Sequence, residues 1–193
     1  MQGGGECREL SGCLAAVQRL IEALGNRGVV IGGVAVTFLA RPRTTLDVDV
    51  MFLVELSELP QMIAVAAQNG LVPRIANADQ FAQRSRVLLL RHEPTGVDVD
   101  IALGLLPFEV EVVERSTRYV GDGFAVPIPT PEDLIILKAI AHRPIDLADI
   151  RAVIDANPDL DRSRIEQRVK AFAEALDMPE LWDDIAPYVS GGR

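Results

Sequence analysis

Apolar and polar residues follow two different periods along this chain, and these periods predict helices and strands in mixed order. Apolar residues three and four positions apart predict a helix over residues 14–24, which a glycine ends. The apolar run 29–31 is typical of a short buried strand, and a small apolar helix is expected over 34–39. A Gly-Gly pair at 32–33 separates that strand from that helix.

Alternating acidic and apolar residues predict two further strands, over residues 46–54 and 97–101. Residues 86–91 predict a strand that pairs with the second of these as a hairpin, through a Glu-Pro-Thr-Gly turn. The remaining elements follow from capping residues and apolar spacing: helices over 57–68 and 107–116, a strand pair within 119–126, and helices over 131–142, 145–156, 163–176 and 179–187.

The order of these elements predicts the fold class and the division of the chain. Residues 1–128 are expected to form an α/β (α+β) core with a mixed, mainly antiparallel sheet flanked by helices. Residues 129–193 are expected to form a helical C-terminal region that packs on this core. The segment Pro127-Ile128-Pro129 is the expected linker, because proline interrupts helices and central strands.

Composition excludes some classes of protein and leaves others open. The chain has 193 residues, 49% of them hydrophobic, which is enough to bury a core. Its net charge of −9 argues against non-specific binding to a nucleic-acid backbone, without excluding a local basic groove. No leader segment is apparent, and the longest apolar run, 29–40, is shorter than the ~20 residues that a membrane helix needs. We therefore expect a cytoplasmic protein without a membrane segment.

The two acidic strands carry the candidate chemistry. Alternate side chains of a strand share a face, so Asp47 lies beside Asp49, and Asp98 beside Asp100. Carboxylates this close repel one another unless a cation compensates them, and oxygen ligands suit Mg²⁺. An exposed sheet face without a metal is the alternative interpretation, and it is stronger for the second pair than for the first.

The glycine pair adds a second element to this pattern. Backbone N–H groups of Gly32 and Gly33 can approach a phosphate closely where a strand turns into a helix. An Asp-x-Asp pair follows at Asp47, and the later strand supplies a third carboxylate, Asp98 or Asp100. Three carboxylates can hold two Mg²⁺ ions for an in-line displacement at phosphorus. Taken alone, the glycine pair is equally consistent with a simple tight turn.

This combination resembles the polymerase-β-type nucleotidyltransferase superfamily. The later segment 131–150 is similar to the helical part of AbiEii-like, toxin-type nucleotidyltransferases, in which a Lys, an Arg and an Asp recur in the order seen at Lys138, Arg143 and Asp146. The resemblance spans residues 29–150. It implies the nucleotidyltransferase fold and a nucleoside triphosphate as substrate.

The resemblance also implies roles for individual residues. Gly32 and Gly33 would hold the β- and γ-phosphates, and Asp47 and Asp49 would bind the metals. Asp100 would complete the metal site and accept a proton. It is preferred over Asp98, which stays open as the third ligand, because the residues after it match family members in that register.

Further roles fall on residues outside the acidic strands. Lys138 and Asp146 complete the predicted catalytic set. The resemblance implies that Lys138 contacts the triphosphate or the incoming nucleotide, and that Asp146 orients Lys138 or Arg143. Contacts to the nucleotide are expected from four residues: Arg43, Thr44, Lys138 and Arg143. A lysine whose stem packs on apolar neighbours and an acid that stabilises a helix start are the structural alternatives for Lys138 and Asp146.

The predicted function is Mg²⁺-dependent (or Mn²⁺-dependent) transfer of a nucleoside monophosphate from a triphosphate to a hydroxyl or phosphate. The resemblance suggests RNA, including tRNA, as the acceptor, for a toxin paired with a cognate antitoxin; a protein or a small molecule is the other acceptor class. Two alternatives stay open: a catalytically degenerate nucleotide-binding or partner protein of the same fold, and a metal-dependent phosphohydrolase.

Overall fold

The structure is a computed structural model that describes residues 3–41 and 47–191. The chain divides into two compact units. Among the described residues, the first unit comprises 3–34 and 47–128, and the second comprises 35–41 and 129–191. None of the helices in these segments is long and apolar enough to cross a membrane.

The first unit contains a sheet, a separate hairpin and the helices around them. Its strands are β1 (Gly28–Ile31), β2 (Asp47–Leu53), β3 (Leu71–Pro73), β4 (Val87–His92), β5 (Asp98–Gly104), β6 (Thr117–Gly121) and β7 (Phe124–Ile128). Its helices are α1 (Gly3–Ala23), the start of α2 (Gly32–Leu39), α3 (Leu59–Gln68), which follows a 3-10 turn at Leu56–Glu58, α4 (Ala78–Ser85) and α5 (Pro107–Glu114).

The main sheet has the strand order β1-β2-β5-β4-β3. Strand β2 runs antiparallel to β1 and parallel to β5, while β4 runs antiparallel to both β5 and β3. Strands β6 and β7 form a separate antiparallel pair. The prediction of a mixed, mainly antiparallel sheet is confirmed, and so is the predicted hairpin of β4 and β5.

One face of the central strands is apolar and the other is acidic. Val48, Val50, Val99 and Ile101 are fully buried, which follows from the strand alternation. The acidic residues between them point to the opposite face and keep partial exposure. The buried face holds β2 and β5 in the unit, so the placement of the acidic residues is set by the core beneath them.

Two elements were not predicted, and two local predictions were wrong. Strand β3 and helix α4 left no clear pattern in the sequence, because β3 has only three residues and ends in proline, and α4 buries only Ala78 and Ala82. Helix α2 starts at Gly32 instead of residue 34. The helix predicted over 179–187 is two short helices, α9 (Glu180–Asp183) and α10 (Ala186–Ser190).

The second unit is helical. Its elements are the end of α2, α6 (Pro131–Ala141), α7 (Pro144–Ala156), α8 (Arg162–Leu176) and the short helices α9 and α10. Helix α6 starts as its sequence predicts, with proline in its first turn and the Thr130 hydroxyl accepting a hydrogen bond from the Asp133 backbone N–H. It packs against α7 and α8.

A buried ion cluster joins α6 to α7. Lys138 Nζ donates to Asp146 Oδ1 and to Asp149 Oδ2, both at 2.8 Å. The Lys138 side chain is 5% exposed and that of Asp146 is fully buried. Each charge has lost most of its hydration, so the cluster is stable only while its partners are paired. Burial acts against ionisation of Asp146, but hydrogen bonds from Arg143 and Lys138 prevail and lower its pKa.

We predict that Lys138→Met lowers the free energy of unfolding by about 3 kcal/mol or more, because two buried carboxylates lose their shared cation. Urea unfolding followed by circular dichroism measures this change. Lys170→Met is the matched control, since Lys170 pairs with Glu166 on an exposed helix face and its loss should cost under about 1 kcal/mol. Equal effects of the two substitutions would contradict the prediction.

The first unit buries a histidine at the end of β4. His92 is 5% exposed, and its Nδ1 lies 2.8 Å from the Thr95 hydroxyl oxygen. Burial lowers the pKa of His92, and the positive charge of Arg19 adds to this effect. The folded chain therefore favours the neutral imidazole more than the unfolded chain does.

We predict that this histidine makes stability depend on pH. The pKa of His92 in the folded chain lies below the unfolded value of about 6.5. The contribution of His92 to the free energy of unfolding is therefore complete above the unfolded pKa, and it is lost as the pH falls through the folded pKa. Between pH 8 and pH 5, the unfolding free energy of His92→Gln should fall less than that of the wild type. A slope in His92→Gln equal to that of the wild type would refute the assignment.

Candidate active site

Gly32 and Asp49 meet where the chain turns from β1 into α2. Gly32 has φ +64°, in the left-handed region that favours glycine, and Ile31 pairs with Asp49 across the β1–β2 ladder. A Cβ atom on Gly32 would lie 1.9 Å from Asp49 Oδ2. Any side chain here would collide with the carboxylate. The glycine is therefore required both by its backbone angle and by the acid that lies against it.

The parallel pairing of β2 and β5 places four carboxylates in two rows. Asp47 pairs with Asp98, and Asp49 pairs with Asp100, so all four lie on the acidic face of adjacent strands. The pKa of Asp100 is raised chiefly by burial; the charge of Arg74 opposes this, and the charges of Asp47 and Asp98 add to it. Asp100 therefore lies in the field of acids from both strands.

Two arginines bind the acids of β5. Arg74 reaches Asp98 Oδ2 and Asp100 Oδ1, each at 2.6 Å, and Arg91 reaches Asp98 Oδ1 at 2.7 Å. The Arg91 hydrogen bond is the main reason that the pKa of Asp98 lies below its usual range, and Arg74 adds to it against the effect of burial. Asp98 is thus held by two guanidinium groups.

The residues present fit a divalent cation in type and in register. Carboxylate oxygens are the ligands that Mg²⁺ takes, and three of them, from Asp47, Asp49 and Asp100, project from neighbouring positions of two paired strands. The Gly32 backbone leaves room for the Asp49 carboxylate at the helix start. As the described side chains stand, no three acidic, histidine or cysteine residues are gathered closely enough to hold a metal ion.

The remaining predicted site residues belong to the second unit or lie outside the described residues. Lys138, Arg143 and Asp146 belong to the second unit, and they contact one another: Arg143 Nε lies 2.6 Å from Asp146 Oδ2, while Lys138 binds the other oxygen of Asp146. The Arg143 side chain is 65% exposed. Arg43 and Thr44, the expected nucleotide contacts before β2, lie outside the described residues.

Sequence reasoning missed Arg74. It lies between a proline and an isoleucine after a strand that was not predicted, and no local pattern connects it with acids 24 and 26 positions further along the chain. The only signal was the pair of acids itself, which requires some cation nearby. Asp149, which also binds Lys138, was not among the predicted site residues.

The comparisons with known proteins concern the fold and the family. The fold is similar to the crystal structure of an antigenic nucleotidyltransferase-like protein from Paracoccidioides brasiliensis (TM-score 0.54, 16% identity, 95% of this chain and 93% of that one). It is also similar to the solution structure of the antibiotic-resistance factor ANT(2'')-Ia (TM-score 0.54, 16% identity, 86% of this chain and 93% of that one). No significant match was found among the curated proteins.

A family profile matches most of the sequence, over residues 11–180. It confirms the nucleotidyltransferase resemblance and does not identify an AbiEii-like subgroup. With a nucleotidyltransferase-like fold and an Asp-x-Asp strand beside a diglycine turn, the chain belongs to the family described as nucleotidyl transferase of unknown function (DUF2204).

Proposed function

We propose that the protein transfers a nucleoside monophosphate from a nucleoside triphosphate to an acceptor hydroxyl or phosphate, in a reaction that depends on Mg²⁺ or Mn²⁺. The observation that carries this proposal is the position of the Asp49 carboxylate against Gly32, with Asp100 in register beside it. The proposal is supported because these acidic side chains lie close to a helix start, where backbone N–H groups favour a phosphate.

In this proposal, Gly32 and Gly33 bind the β- and γ-phosphates through the start of α2. Asp47, Asp49 and Asp100 hold the metal, which when bound supplies charge neutralisation at the triphosphate and lowers the pKa of an attacking hydroxyl. Asp100 accepts the proton of that hydroxyl. Because no covalent intermediate is needed, the chain contributes mainly by positioning the reactants and stabilising charge.

The nucleotide contacts proposed for Arg43, Thr44, Lys138 and Arg143 rest on the family resemblance. Between these two residues of the second unit we propose Arg143 for such a contact, because its side chain is largely exposed, whereas Lys138 has two of its three donors on buried carboxylates. Asp146 is then a positioning residue for both cations.

The acceptor is a separate part of the proposal. RNA, including tRNA, and a toxin role with a cognate antitoxin follow from the AbiEii-like resemblance, while the net charge of −9 weighs against a large nucleic-acid surface. The acceptor assay therefore has three arms: total tRNA, a protein extract and a small-molecule pool. Each is incubated with the four α-labelled triphosphates and Mg²⁺ or Mn²⁺.

We predict that Asp47→Asn, Asp49→Asn and Asp100→Asn each reduce label transfer by about a hundredfold or more, because each removes a charge that stabilises the transition state. Asp98→Asn should retain more activity than Asp100→Asn, since Asp98 is already paired with two arginines. Asp122→Asn, in the exposed turn of the β6–β7 hairpin, is the matched control and should behave as wild type.

The products separate this function from its alternatives. Pyrophosphate with a labelled acceptor supports nucleotidyl transfer, whereas inorganic phosphate without a labelled acceptor indicates a phosphohydrolase. Metal-dependent binding of triphosphate without any product would favour the degenerate, nucleotide-binding alternative. Transfer that survives all three substitutions would refute the proposed site.

We predict that Gly32→Ala abolishes metal-dependent triphosphate binding and destabilises the protein, because its Cβ would displace the Asp49 carboxylate. Gly25→Ala is the matched control: Gly25 also has a positive φ, +76°, but nothing lies within 4 Å of its added Cβ. Both variants should lose about 1 kcal/mol to backbone strain, and Gly32→Ala a further 1–3 kcal/mol, roughly, to the collision. Calorimetric titration with ATP and urea unfolding measure the two effects; equal behaviour of the variants would count against the contact.

A further inference from the structure

Arg74 reaches the acidic face from two strands away. Its backbone N–H donates to the Leu89 carbonyl oxygen at 3.1 Å, just beyond the end of β3, and Leu89 pairs with Asp100 across the β4–β5 ladder. Two strand spacings, roughly 10 Å, separate β3 from β5. The Arg74 side chain therefore extends across β4 to meet the acids, and its position is fixed by the sheet.

The guanidinium group of Arg74 is divided between two carboxylates. Its Nη1 lies 2.6 Å from Asp98 Oδ2 and its Nη2 lies 2.6 Å from Asp100 Oδ1. The Arg74 side chain is only 23% exposed, so solvent screens these contacts less than those of a surface ion pair. The planar fork of arginine suits this bridge, which a single lysine ammonium would not form with the same geometry.

Arg91 differs from Arg74 because it does not bridge the two acids of β5. It lies directly opposite Asp98 in the β4–β5 register, is 53% exposed and, among the residues that the structure describes, binds Asp98 and not Asp100. If Arg74 were to release both acids, Asp98 would keep its Arg91 partner. Within the described residues, Asp100 has its guanidinium contact from Arg74 only.

We propose that Arg74 is an internal counter-ion that competes with the divalent cation for Asp100. This inference rests on the proposed function, in which Asp100 is the third metal ligand. With Arg74 bound to Asp100, the described acids do not form a three-ligand site. When a cation binds Asp100, Arg74 keeps its contact with Asp98, and Arg91 continues to bind the same Asp98 carboxylate. Arg74 thus offsets part of the negative charge of the acidic face before the metal arrives and weakens metal binding without a nucleotide.

The test is Mn²⁺ binding to the full chain in the absence of nucleotide, measured by calorimetry and by the loss of the free Mn²⁺ signal in electron paramagnetic resonance. Arg74→Gln should lower the Kd for Mn²⁺ by about tenfold, a size typical of coupling between two binding events. Arg91→Gln is the matched control, because it removes the same charge from the same face without touching Asp100, and it should change the Kd much less.

A double-mutant cycle tests whether the change in Mn²⁺ affinity arises from the contact between Arg74 and Asp100. In an Asp100→Asn background, Arg74→Gln should have no larger effect on Mn²⁺ binding than Arg91→Gln has. Arg74→Lys keeps the charge but loses the bridge, so its Kd should lie between those of the wild type and Arg74→Gln. It also serves as the test variant if Arg74→Gln does not fold.

The outcomes separate this inference from the proposed function. If the wild type binds Mn²⁺, and Arg74→Gln and Arg74→Lys bind it equally tightly or more weakly, the inference is overturned but the proposed function is not. Equal gains in Arg74→Gln and Arg91→Gln, or a gain that persists in the Asp100→Asn background, would have the same consequence. No Mn²⁺ binding by the wild type or by any variant would overturn the metal site and, with it, the competition.

Discussion

The parallel pairing of β2 with β5 is the constraint on which the rest of the first unit depends. It brings Asp47 level with Asp98 and Asp49 level with Asp100, so four like charges lie within two strand positions of one another. The arrangement is held by the apolar face beneath it, where the intervening residues of both strands are fully buried. Burial on one face thus supplies the free energy that keeps repelling groups together on the other.

The two units compensate their carboxylates in different ways. On the sheet, Arg74 and Arg91 bind acids that remain partly exposed, so water and other cations can reach the same oxygens. In the helical unit, Lys138 is enclosed with Asp146 and Asp149, where exchange with solvent is restricted. The first arrangement suits a ligand site whose partners change, and the second suits a permanent joint between two helices.

Much of the fold and part of the site could be predicted because their causes are local. Alternation of Asp with Val placed the acids on one face, and the glycine pair marked the turn before α2. The register between β2 and β5 has no local cause, because some fifty residues separate Asp47 from Asp98 and the strand order decides whether they meet. Arg74 was missed for the same reason. Lys138 and Asp146 were identified, but their burial depends on how α6 packs against α7.

The alternation of charged and apolar side chains along β2 and β5 also affects how the chain folds. A slip of one residue in either strand would turn its aspartates toward the hydrophobic interior and its valines toward water. Burying unpaired carboxylates is among the most costly errors a folding protein can make, so misaligned sheets should be too unstable to persist. The same acids that we assign to chemistry therefore also act against misfolding, by penalising every alignment of these strands that is shifted by an odd number of residues.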